Sequence, residues 1–135
     1  MNQPKWLILF YIEDDGTQPV KEYITACKNK KDIAVILQVI QSLSLIGLDL
    51  LDTKMCKKID NNIKELVKGH HRILFAQDGN SFILLSAFYK KTKKTPINEK
   101  IKANDRFLIF LANKNQRSFQ NKIYLNWGQI DEWIY

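Results

Sequence analysis

The residues that could carry chemistry are concentrated in one stretch, residues 70–95. This stretch holds adjacent histidines, His70 and His71, then Arg72, and later a tyrosine that opens a lysine-rich run, Tyr89–Lys94. Cations neutralise phosphates, and aromatic rings and arginine planes stack on unpaired bases. The mixture of side chains therefore points to RNA as a ligand.

The reaction that such a set could support is cleavage of RNA by its own 2′-hydroxyl. That reaction needs a base for the 2′-OH, stabilisation of the charged phosphorane, and an acid for the leaving 5′-oxygen. Arg72 is the candidate for charge stabilisation, because its guanidinium is permanently cationic and bidentate toward phosphate. Lysines crowded by other cations have a lowered pKa, so Lys90 and Lys91 are candidates for proton transfer, beside His70 and Tyr89. The identity of the base stays open.

Lysines elsewhere in the chain extend this basic character. The candidate RNA-binding residues are Lys57, Lys58, Lys68, Lys93 and Lys94. Lysine runs are also common on solvated surfaces, and a strand arginine such as Arg72 can instead pair with a carboxylate such as Glu65. The chain has no cluster of His, Cys and Asp with the spacing of metal ligands, so we expect neither a metal nor another cofactor.

A predicted β-hairpin must position these groups. Two apolar runs, residues 72–76 and 81–89, flank Asp78-Gly79, which is the strongest short-range signal of a hairpin. Regular pairing about Asp78-Gly79 would place Arg72 opposite Leu85. Alternation along the strands then predicts one shared polar face at the end remote from the turn, formed by Lys68, His70, Arg72 and Tyr89.

The basic run is expected to lead directly into a helix, with Thr95 as N-cap and Pro96 in the first turn. Together these segments resemble the RelE/ParE superfamily of bacterial toxins, most closely its HigB-like, phage-derived branch. The resemblance covers roughly residues 5–112 and is carried by Glu65-Leu66, Arg72–Phe75, Phe88–Pro96, Glu99, Ala103 and Arg106. Two positions differ from the branch pattern: Val67 replaces the usual arginine, and Ser86 replaces a frequent histidine.

The predicted fold is RelE-like, an α+β domain of order β-α-α-β-β-β-α with a largely antiparallel sheet. Hydrophobic periodicity places a strand at 6–12, helices at 19–28 and 32–46, an irregular segment at 48–58, and a strand at 63–67. The toxin domain is predicted to span residues 1–112. Residues 113–135 form a C-terminal extension, with a short helix expected from Asn126.

The composition limits the partners that the chain can have. It has 135 residues and a formal net charge of +7, which favours an anionic partner, first of all nucleic acid, then a membrane surface or an acidic protein. We expect no apolar run to reach the roughly 20 residues of a membrane span, and the N-terminus lacks the layout of a signal peptide. Cys27 and Cys56 are expected to be reduced thiols. These features predict a cytoplasmic protein without a membrane partner.

The resemblance implies a bacterial type II toxin, a metal-independent mRNA endoribonuclease that acts on the ribosome and inhibits translation. It also implies a cognate antitoxin that combines an acidic segment with a helix-turn-helix domain. Two alternatives remain open. One is a ParE-like toxin that inhibits DNA gyrase without cleaving nucleic acid, since the same fold serves both activities. The other is a basic RNA-binding module without catalysis, as the residues at Val67 and Ser86 allow.

Overall fold

The computed structural model describes residues 6–114 of the chain. The predicted helix from Asn126 therefore lies outside the described residues, and the domain division after residue 112 stays a prediction. The elements are, in chain order, β1 Leu7–Phe10, α1 Pro19–Thr25, α2 Lys30–Ile46, a 3₁₀ helix Gly47–Asp52, β2 Cys56–Lys58, β3 Lys64–Lys68, β4 His71–Asp78, β5 Ser81–Tyr89 and α3 Ile97–Asn113.

A five-stranded sheet in the order β1-β5-β4-β3-β2 forms the centre of the fold. Three of its four strand pairs are antiparallel, and β1 runs parallel to β5. The predicted α+β fold with a largely antiparallel sheet is confirmed. The expectation that residues 48–58 are irregular was wrong: a 3₁₀ helix follows α2, and Cys56–Lys58 pairs with β3 as an edge strand. Three residues are too few for an alternating pattern to be visible in the sequence.

The predicted hairpin exists, but its register differs from the prediction. Asp78 pairs with Ser81, so the turn consists of Gly79 and Asn80, and Gly79 takes the positive φ of +61° that a first turn position of this kind requires. A bulge follows, since Leu74 pairs with Ser86 while Phe75 pairs with Leu84. The extra residue in β5 shifts every pair beyond it.

Helices cover both faces of the sheet. One core cluster joins α1 and α2 to strand residues such as Phe10, Ile73 and Phe82, and a second joins α3 to Leu74, Ile83 and others on the opposite face. Alternation along the strands explains why Ile73 and Leu74 enter different clusters. Alternate side chains of β4 thus lie on opposite faces of the sheet. The polar residues at the end of β4 are divided between the same two faces.

The helix ends show local sequence effects. The Asn29 side chain accepts a hydrogen bond from the Lys31 backbone N–H and caps α2, and Gly47 ends α2 with φ +58°. A Cβ at Gly47 would lie 2.5 Å from Nε1 of Trp6, so the position requires glycine. The prediction that Thr95 caps α3 was wrong. Pro96 is the N-cap residue, and it provides no side-chain hydrogen bond.

One apolar segment is longer than expected from the sequence. The helical segment Lys30–Asp52 has 23 residues and contains an 18-residue window with a mean hydropathy of 1.9, so by length and composition alone it could cross a membrane. Its packing gives another reason for this composition. Ile33, Ile36, Ile40 and Leu43 are buried in the core beneath the sheet, as expected for a central helix of a globular domain.

Candidate nucleic-acid interface

The polar residues gather where β3 turns into β4, but on two faces of the sheet rather than one. Lys68 pairs with His71, and His71 pairs with Tyr89, so these three residues form a row on the face covered by α1 and α2. Arg72 lies on the opposite face, beside α3. The predicted common face of Lys68, His70, Arg72 and Tyr89 was therefore wrong, because the bulge shifts the register and because His70 belongs to the turn.

A buried carboxylate, Glu65, is the centre of the face beside α3. Its side chain has no solvent exposure, and the hydroxyl of Thr95 donates a hydrogen bond of 2.8 Å to Oε2. Lys57, directly opposite in β2, places Nζ 3.4 Å from Oε1, and Nε of Arg72 lies 3.6 Å from the same oxygen. Glu65 Oε1 and Arg72 Nε are buried without a hydrogen-bond partner. The carboxylate therefore interacts with both cations as an ion pair at slightly long range.

Arg72 also holds the turn that precedes its strand. Its Nη1 donates hydrogen bonds to the carbonyl oxygens of Gly69, at 2.6 Å, and His71, at 3.0 Å. Only 14% of its side chain is exposed. In this conformation the guanidinium stabilises the turn and Glu65, so any contact with a phosphate uses the small part that solvent reaches.

Lys90 adds a third cation to the cluster. Its residue is 7% exposed, and its backbone N–H donates to the carbonyl oxygen of His70 at 2.7 Å. Burial lowers the pKa of Lys90, the neighbouring Lys57 and Arg72 lower it further, and Glu65 acts in the opposite direction. One buried carboxylate thus interacts with three cations, of which Lys57 has a side chain that is 49% exposed. We call Glu65, Lys57, Arg72 and Lys90 the charge cluster.

An open groove of about 860 Å³ lies beside the charge cluster, between β2 and the start of α3. We call this space the lysine groove. Its lining residues are Lys57, Lys58, Ile59, Thr92, Lys93, Lys94, Thr95, Pro96, Ile97 and Lys100.

The lysine groove collects four of the five RNA-binding candidates from the sequence: Lys57, Lys58, Lys93 and Lys94. Lys58 and Lys93 are 35 positions apart in the chain (93 minus 58). Strand β2 and the loop after β5 bring them together at one side of α3. Lys57 belongs to both the groove and the charge cluster, so the two form one continuous basic surface.

One member of this region, Lys100, was not predicted from the sequence. Lys100 lines the lysine groove from the first turns of α3, three residues after Ile97, which lines it too. Residues at this spacing lie on neighbouring parts of a helix surface, so helical periodicity was the signal that could have found Lys100. The pairing of Arg72 with Glu65, which the sequence offered as an alternative role for the arginine, is confirmed, whereas the burial of Glu65 among several cations follows from tertiary packing. Of the remaining candidates, Lys91 is exposed in the loop and Lys68 lies on the other face.

An aromatic cluster occupies the opposite face at the same end of the sheet. His70 stacks on Tyr89 with ring centroids 5.0 Å apart, and His71 meets Tyr89 edge-on at 5.6 Å. The hydroxyl of Tyr23 lies 2.7 Å from Nδ1 of His71. Burial raises the pKa of Tyr23 to about 12, so its hydroxyl keeps its proton at neutral pH. Tyr89 itself is 52% exposed and offers a ring to a ligand.

Metal-ligating residues are not grouped in this region. Within residues 6–114, no set of three or more His, Cys, Asp or Glu side chains is placed to hold a metal ion.

The fold defines the structural class of the protein. An α+β domain with a five-stranded, mostly antiparallel sheet and three helices is consistent with a RelE-like fold. The chain belongs to the family described as phage derived protein Gp49-like (DUF891), whose model matches residues 22–108. This family is related to the RelE/HigB-like toxins, and membership is consistent with the toxin of a toxin–antitoxin pair and suggests an antitoxin as partner. No curated protein gives a significant match to the chain.

Proposed function

We propose that the protein is a HigB-like toxin of a bacterial type II pair, and that it cleaves mRNA on the ribosome in the cytoplasm. The observation that carries the proposal is the charge cluster, in which one buried carboxylate faces three cations next to the lysine groove. The surplus of positive charge favours an anionic group at this position. A phosphate of an RNA backbone in the lysine groove would supply it.

The cleavage step can be written with the groups present. The RNA 2′-oxygen attacks the adjacent phosphorus, the bond from phosphorus to the 5′-oxygen breaks, and the products are a cyclic phosphate and a 5′-hydroxyl. The base receives the 2′-OH proton, and the acid protonates the leaving 5′-oxygen. Lys90 suits proton transfer because its pKa is lowered toward the working pH. Arg72 and Lys57 would stabilise the charge on the phosphorane.

Substrate alignment is the second requirement. The exposed ring of Tyr89, supported by His70, offers a stacking surface for an unpaired base at the same end of the sheet. The lysines of the groove would bind neighbouring phosphates. The ribosome would hold the mRNA in an extended conformation, and positioning of this kind lowers the barrier without further catalytic groups.

The test is mRNA cleavage on purified ribosomes by the full chain. We expect cleavage by the wild type and a strong loss in Lys90→Met, while Lys31→Ala, a charge change in the exposed first turn of α2, retains activity. Intact mRNA with folded wild-type protein would contradict the proposal. Inhibited DNA supercoiling in that case would favour the gyrase alternative, and ribosome binding without cleavage would favour an RNA-binding module.

A further inference from the structure

Exposed apolar side chains are concentrated on α3. Among the described residues, seven large apolar side chains are exposed, and five of them belong to this helix: Ile97, Ile101, Leu108, Ile109 and Leu111. Ile97 is 72% exposed and Leu108 is 63% exposed. Scattered apolar residues are normal on a surface, but a contiguous group of them marks an interaction site.

Four of these residues form one line along the helix. Ile97, Ile101, Leu108 and Leu111 are spaced by four, seven and three positions, which places them on one side of an α-helix. The side that packs on the sheet is a different one, formed by Ala103, Phe107 and Phe110. The fold of residues 6–114 therefore does not account for the exposed line, which we call the α3 stripe.

The α3 stripe is continuous with the lysine groove, because Ile97 belongs to both. Lys93, Lys94 and Lys100 surround this end of the stripe. An occupant of the combined surface needs apolar side chains along one part and negative charge at one end. RNA supplies the charge but has no aliphatic side chains, so a protein segment fits the combination better.

We propose that the α3 stripe and the lysine groove together bind an acidic, amphipathic helix of a partner protein. Its apolar residues would pack along the stripe, and its Asp and Glu side chains would enter the groove. The inference rests on the proposed function, in which the partner is the antitoxin. Occupation of the groove would exclude RNA phosphates, while the stripe would give the antitoxin contacts that RNA cannot make.

The experiment uses the full chain and, as the probe, the protein encoded by the reading frame next to its gene. The test variant is the double substitution Ile101→Lys and Leu108→Lys, which keeps the positive charge of the surface. The matched control is Ile46→Lys, since Ile46 is 46% exposed and lies at the end of α2. Affinity is measured by titration, and mRNA cleavage is measured separately for each variant.

We expect the double variant to bind the probe at least tenfold more weakly and to cleave mRNA like the wild type, while Ile46→Lys changes neither. Unchanged affinity of the double variant, or no complex with the wild type, would overturn the inference. A large fall in the melting temperature of the free double variant would also overturn the inference, because it would assign the stripe to a contact within the chain. If the wild type forms a dimer that the double substitution abolishes, the stripe binds a second copy of the chain instead. Absence of cleavage alone would contradict the proposed function and leave the docking surface standing.

Discussion

The hydroxyl of Thr95 donates a hydrogen bond of 2.8 Å to the buried carboxylate of Glu65. This bond joins β3 to the residue that precedes the N-cap of α3. It explains why Thr95 does not cap the helix, since its side chain is directed to the carboxylate and lies one position before Pro96. The bond also fixes the loop of Lys93 and Lys94 at the wall of the lysine groove.

The first prediction concerns this bond. Thr95→Val keeps the shape of the side chain but leaves Glu65 Oε2 without its donor, and a lost hydrogen bond to a buried charged group costs roughly 1.5–3 kcal/mol. We expect the free energy of unfolding in urea to fall by that amount. Thr92→Val is the control, because the Thr92 hydroxyl bonds an exposed carbonyl of Lys94. Equal effects of the two substitutions would contradict the prediction.

The second prediction separates the structural and catalytic roles of Arg72. Arg72→Ala removes one counter-charge from the fully buried Glu65, and because Lys57 still lies 3.4 Å from that carboxylate, we expect a loss of stability below the roughly 3–5 kcal/mol of a broken buried pair. If the variant folds, loss of a group that stabilises the phosphorane should reduce cleavage about a hundredfold to a thousandfold. Arg72→Lys keeps the charge but loses the fork of the guanidinium, whose Nη1 reaches two carbonyl oxygens, so we expect a folded protein with reduced cleavage. Wild-type cleavage by folded Arg72→Lys would assign Arg72 a purely structural role.

The third prediction follows from the lowered pKa of Lys90. The folded state binds fewer protons than the unfolded chain between the folded pKa and the ordinary value of 10.5, so the contribution of Lys90 to stability rises with pH in that window. Below the folded pKa, the buried ammonium group of Lys90 lowers the free energy of unfolding. Lys90→Met should therefore be more stable than the wild type at neutral pH, by a margin that shrinks toward pH 10.5. Urea unfolding at several pH values checks this, and a constant margin would show that the ammonium is not destabilised by burial.

The fourth prediction concerns the lysine groove. Lys93→Ala and Lys94→Ala should each weaken ribosome binding modestly and reduce the slope of log affinity against log salt by about 1. Lys31→Ala should leave the slope unchanged, since Lys31 lies in the first turn of α2, away from the groove. Affinity measured at three or four salt concentrations gives the slopes. Equal slopes for all the variants would exclude the groove as the phosphate-binding surface.

Local signals predicted the hairpin, the long helices and the basic character of the loop. Asp78-Gly79 marked the turn, and the apolar spacing of α2 marked a core helix that ends at Gly47. The register was not predictable, because the bulge between β4 and β5 depends on packing across the sheet. That one extra residue moved Arg72 to the face opposite Tyr89.

The candidate site was predictable in its lysines and in the pairing of Arg72 with Glu65, but not in the burial of that carboxylate among several cations. Lys57, Lys58, Lys93 and Lys94 could be selected by charge, and the fold brings them into one groove. The burial of Glu65 depends on β2, which is too short to recognise in the sequence. The roles assigned to single side chains, including those of His70 and Lys91, stay predictions.

The parallel pairing of β1 with β5 has a consequence for synthesis of the chain. Leu7 pairs with Ser81, so β1 can pair only after β5 has been synthesised, 74 residues later in the chain (81 minus 7). Closing so long a connection costs entropy before the hydrogen bonds form, and distant contacts of this kind slow folding. The nascent chain therefore cannot complete its sheet, or assemble the basic surface that follows β5, until most of the protein has left the ribosome. The basic surface is therefore assembled only late in the translation of the chain.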